Sequence, residues 1–208
     1  MFKWQVNWDY FKRMNPYIAF AAILFLAGMV IGGINPAFKS FLDGQLEGLG
    51  KISNMIDDSS NPTLTMIVFI FLNNAIKSIV VMYLGAMLGI LPFFFLVVNG
   101  MVIGYLLKSM AELHGGGYVL EIIVKGLLPH GILEIPAIII ACAYGMRFGV
   151  LVFKALGSLM FARSKSGRLG EELEGFVART VPMMVVLTIS LLIAAIIEST
   201  FTTWLLTM

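Results

Sequence analysis

The segment LPHGILEIP, residues 128–136, sets His130 and Glu134 four residues apart between two prolines, within one of the most apolar parts of the chain. On a helix that spacing puts both side chains on one face. An imidazole beside a carboxylate can relay a proton or hold an ion, and both groups are expensive to place in hydrocarbon. Asn73, Asn74 and Asn99 add amide donors and acceptors in other apolar runs, and Lys77 is the charge partner the spacing offers to Glu134. Together Asn73, Asn74, Asn99, His130 and Glu134 make a candidate polar site. Catalytic signatures are missing: His130-x-x-x-Glu134 lacks the second histidine of a zinc helix, and no nucleophile elbow or P-loop occurs. The expectation is a protein that is not an enzyme, with no catalytic residues, no metal and no cofactor.

What must position these groups follows from composition. Of 208 residues, 59% are hydrophobic and 12% charged, against about 45–50% and roughly a quarter in an ordinary soluble domain. The apolar residues fall in runs of about 20, the length that crosses a hydrocarbon core. The chain reads as all-α, a single polytopic transmembrane domain of about five helices with interfacial amphipathic helices. The expected spans are 17–34, 64–84, 90–107, 119–146 and 181–206. Residues 1–15 carry Trp4, Trp8 and Phe11 at helical spacing and read as an amphipathic helix at the lipid headgroups. Residues 35–63 read as a polar connection.

At 1.5 Å per residue, Asn73, Asn74, Asn99 and His130 all fall near the bilayer midplane, with Glu134 and Lys77 somewhat below it. Pro129 removes a backbone donor and Gly131 permits unusual dihedrals, so residues 128–131 are expected to break the fourth helix. Such a break is tolerated where it is buried in protein or lines a cavity, and it aims a helix amino terminus into the membrane. The plainer alternative is a structural kink whose freed groups the same polar side chains satisfy. Glu121 and Lys125 form a further i,i+4 pair nearer the surface.

An odd number of crossings puts most lysines and arginines, including Lys12, Arg13, Arg147, Lys154 and Arg179, on one side. The positive-inside bias then makes the protein multi-pass in the cell membrane, with a cytoplasmic amino terminus and an external carboxyl terminus. The first apolar run is not followed by a small-x-small cleavage site and is expected to stay as an anchor. Gly28/Gly32, Gly85/Gly89 and Gly100/Gly104 recur at the spacing that lets helix backbones approach, within a chain or between two, and a homodimer through such faces is expected. A net charge of +2 and the lack of a basic, aromatic stripe exclude nucleic acid as a partner. Cys142 is the only cysteine, so no intramolecular disulfide forms.

The run FLNNAIKSIVVMYLGAMLGILPFFFLVVNGMVIG, followed by LPHGILEIPAIIIACAYG, resembles the stage II sporulation protein M family of five-span membrane proteins. The likeness rests on Asn73, Asn74, Gly85, Gly89, Pro92, Asn99, Gly100 and Gly104, then Leu128 to Gly131 with Glu134, Pro136 and Ala137. It implies a non-catalytic membrane scaffold or assembly subunit that recruits membrane or envelope partners. The alternative, carried by the depth of the polar residues, is a small transporter or channel-like protein for an ion or small solute.

Overall fold

The computed structural model describes residues 11–87, 89–161 and 166–208. They form helices and turns, with no strand among the described residues. In chain order these are α1 (Asn15–Ile34), a 3-10 turn (Pro36–Phe38), α2 (Lys39–Asp57), α3 (Pro62–Leu84), α4 (Ile90–His114) and α5 (Gly116–Glu121). A π-helical segment, Ile122–Leu127, then runs into α6 (Leu128–Phe161). α7 (Ser166–Ile197) passes through a second π segment, Glu198–Thr202, into α8 (Thr203–Leu206).

Among the described residues, five stretches are long and apolar enough to cross a membrane: Asn15–Ile34, Pro62–Leu84, Ile90–His114, Gly116–Ser158 and Leu169–Leu206. Each expected span lies inside one of them. The last two run beyond the expected 119–146 and 181–206, because backbone hydrogen bonding continues where hydropathy falls. The exposed apolar residues fit a lipid environment: Phe20, Ile23, Val80, Phe94, Ile132, Val185 and Ile189 all point away from the bundle core. The expected interfacial helix at 1–15 falls largely outside the described residues. The polar connection is itself a helix, α2, whose Leu42 is buried against Met101 and Tyr105 of α4 while Asp43 accepts a hydrogen bond from the Tyr105 hydroxyl.

Local signals explain the ends. Asn61 caps α3 by accepting from the Leu64 amide at 3.2 Å, with Pro62 in the first turn. Asn35 accepts from Ala37 N–H at 2.9 Å to start the 3-10 turn. Gly89 takes φ +74°, the left-handed conformation that lets α3 fold back onto α4.

The glycine pairs do their packing within the chain. A Cβ on Gly28 or Gly32 would strike the backbone of Val97 or Met101, and one on Gly100 or Gly104 would strike that of Phe25 or Met29. These four glycines therefore seat α1 against α4 within the chain, the first of the two arrangements their spacing allows. Gly85 likewise meets Gly145, and Gly145 meets Val81 and Pro92, drawing α3, α4 and α6 together. At the same level Arg147 lies beneath the rings of Tyr17 and Phe176, 6.0 and 5.8 Å from their centroids, and donates to the Met14 sulfur.

The expected break at residues 128–131 is absent, which corrects that expectation. Pro129 has no N–H to return to the Lys125 carbonyl, and its ring crowds that carbonyl. The chain answers by widening the preceding turn: Leu128 N–H bonds to Ile123 O, five residues back, instead of opening the helix. Gly131 stays helical and buried, and only Gly89 and Gly115 have positive φ among the described glycines. No half-helix amino terminus points into the membrane here.

Candidate functional site

Two widened turns frame the site. The first directly precedes Pro129 and His130 on the fourth span; the second contains Glu198 and Thr202 on the fifth. π-turns are found often at functional sites because the extra residue per turn re-aims side chains that an α-helix would hold elsewhere. The two spans pack along their length, and the Ser190 hydroxyl lies 3.5 Å from the Leu133 carbonyl between them. α3 closes the third side.

At this junction Asn74 Nδ2 donates to Glu134 Oε1 at 2.9 Å. His130 Nε2 lies 3.9 Å from Glu198 Oε2, and its Nδ1 lies 3.4 Å from the Thr202 hydroxyl. One nitrogen of His130 and one oxygen each of Glu134 and Glu198 all fall within 4.8 Å of one another. The side chains of His130 and Glu198 are 12% and 25% exposed, so the site is largely enclosed. Asn74 and Glu134 are each eleven residues from the Gly85–Gly145 crossing along their helices, about 16 Å at 1.5 Å per residue.

Of the residues expected to converge, Asn74, His130 and Glu134 do so. Asn73 borders the site, its Nδ2 reaching Asn74 Oδ1 at 3.4 Å, and it also lines an open groove on the outside of α3. Asn99 does not join: its amide donates to Phe95 O at 2.7 Å in its own helix, on the span packed chiefly against α1. Lys77 is not the partner of Glu134. It is exposed on α3 and lines the same outer groove as Asn73, with Leu64, Val68, Leu72 and Ile76. Glu134 takes its hydrogen bond from an amide instead. Pro129 acts on the site through the π turn, and Gly131 is buried against Leu127 and Ile135 of its own helical run.

Glu198 is the member of this cluster that sequence reasoning passed over. It is the single charged residue in 181–208, amid the run ESTFTT. Such a charge in a final apolar span is the signal that would have found it.

A family model described as stage II sporulation protein M matches residues 21–203. The chain belongs to the stage II sporulation protein M family. Membership and the five apolar helices together make it a multi-pass integral membrane protein. A protein of Methanocaldococcus jannaschii, named as uncharacterized protein MJ0706, is 25% identical over 193 residues, covering 92% of this chain and 82% of its own length. No solved structure matches.

Proposed function

We propose that this family member binds a cation at mid-membrane and passes it across, acting as a small non-catalytic transport protein. The observation that carries this reading is the convergence of His130, Glu134 and Glu198 within 4.8 Å. On insertion scales a single acidic side chain at a helix centre costs roughly +2.5 to +3.5 kcal/mol. Two carboxylate charges this close add mutual repulsion in a medium that screens it poorly. The arrangement is relieved when positive charge, a proton or a metal ion, sits between them. Side chains on two adjoining spans, each shaped by a π turn, supply a centre that a small shift of one helix against the other can open to either side.

The test is flux. Purified protein in vesicles, loaded with a pH dye or in parallel with a divalent-metal dye, is placed under an imposed potential. Dye response should exceed that of protein-free vesicles and vanish in the Glu134→Gln, Glu198→Gln double variant. Equal flux in wild type and double variant overturns the reading.

A second reading, the membrane scaffold or assembly subunit, is favoured by the outer groove of α3. Asn73 and Lys77 face outward there among apolar residues. Lipid tails cannot satisfy an amide or an ammonium, so a partner transmembrane helix bearing a carboxylate suits this face. A symmetric homodimer through the groove would set Lys77 against its own copy, which disfavours that occupant.

A further inference from the structure

We infer that His130, Glu134 and Glu198 form a binding site for a divalent transition-metal cation of the zinc, manganese or iron(II) class. This deepens the cation-transport reading and rests on it. The sequence by spacing alone offers only His130 and Glu134, too few ligands for a metal. The fold adds Glu198 from the next span, giving one nitrogen and two oxygens within 4.8 Å of each other. Tetrahedral donors bound to one zinc ion at about 2.0–2.2 Å stand about 3.3–3.6 Å apart, so the set needs to close by about 1 Å. Small side-chain rotations therefore close the set.

Ligands in metal sites are held by outer partners, and these ligands have them. Thr202 sits at 3.4 Å from His130 Nδ1, which leaves Nε2 turned toward Glu198 as the ligating atom. Asn74 fixes one oxygen of Glu134 at 2.9 Å and leaves the other to bind. A proton-sharing carboxylate pair would need no imidazole beside it. The donor types select the ion. An imidazole with carboxylates suits zinc, manganese and iron(II); the absence of thiolate from the set argues against copper(I), and the imidazole against calcium and magnesium. Cys142, the single cysteine, is not in this group of ligands. A dication also neutralises both carboxylates at once. Three protein ligands leave coordination positions open, the pattern of exchangeable sites, whereas structural zinc is closed by four.

The experiment uses the full chain in lipid nanodiscs, freed of metal by chelation, with Co²⁺ as probe. Visible d–d absorption reports binding and coordination, and competition with Zn²⁺ reports affinity. One Co²⁺ per chain should bind and be displaced by Zn²⁺. Thr202→Val should weaken binding roughly 10–100-fold, the usual effect of losing an outer partner, and His130→Ala or Glu198→Gln should weaken it further. Glu47→Gln, on the exposed face of α2, should bind as wild type. Thermal unfolding of each variant shows that loss of binding is not loss of fold. Binding that survives both His130→Ala and Glu198→Gln overturns the inference. No Co²⁺ binding alongside Glu198-dependent proton flux in the vesicle assay also overturns it, and leaves the broader cation reading standing. No binding and no flux removes both.

Discussion

The contact between Asn74 and Glu134 ties α3 to α6 inside the bundle, and a double-mutant cycle measures it. Glu134→Leu deletes the acceptor of a 2.9 Å bond and leaves Asn74 Nδ2 without it. Asn74→Leu removes the donor and leaves the Glu134 carboxyl group without it. An unsatisfied buried polar group costs about 1–3 kcal/mol, whereas replacing both partners by apolar groups of similar shape is close to neutral. The double variant, Asn74→Leu with Glu134→Leu, should therefore be more stable than the sum of the single losses allows. Hydrogen bonds between transmembrane helices average about 0.6 and reach about 1.7 kcal/mol in such cycles, and this pair, partly screened from lipid by α7, is expected in the upper half of that range. The conservative Glu134→Gln variant keeps an oxygen for Asn74 and should lose less stability than Glu134→Leu. Equilibrium unfolding in mixed micelles supplies the four free energies. A coupling energy indistinguishable from zero, with Glu134→Gln and Glu134→Leu equally stable, would falsify the proposed site geometry.

Other outcomes test the fold around it. Gly104→Leu should prevent α1 from seating on α4, because its side chain meets the Met29 backbone rather than a flexible side chain; overpacking costs typically about 1–3 kcal/mol where neighbours can shift, so at least that loss is expected in the same assay, and wild-type stability would show the crossing to be wrong. Single cysteines in place of Lys39 and Lys154 in a Cys142→Ala background should differ in reactivity toward an impermeant reagent in intact cells, with only the first labelled; labelling of both, or of the second alone, defeats the expected orientation. A photocrosslinker at Lys77 should capture a membrane partner if the outer groove of α3 recruits one, and Lys77→Leu should leave stability within about 0.5 kcal/mol, as for surface changes elsewhere. Crosslinking only to a second copy of the chain would replace the heterologous partner with a homodimer, and crosslinking to nothing but lipid would remove the scaffold reading.

Much of the architecture is legible in residue order because bilayer thickness is an external ruler. A helix that crosses lipid must satisfy its backbone internally and carry about 20 apolar residues, so the five spans and the shared depth of Asn74 and His130 can be counted along the chain. Close packing through Gly28, Gly32, Gly100 and Gly104 is equally visible as spacing, but which helix each face meets is not, since the same pattern serves one chain or two. Only the tertiary structure assigned these faces to α1 and α4. It also turned the anticipated break at Pro129 into a π turn, because a helix in hydrocarbon keeps its backbone bonded by widening more cheaply than by opening. Rotation about each helix axis decided the rest. It carried Lys77 to the outer groove and left Asn99 to bond its own helix. It brought Glu198, distant in sequence, beside His130 and Glu134, a rotation that neighbouring helices impose and that no local run of residues encodes.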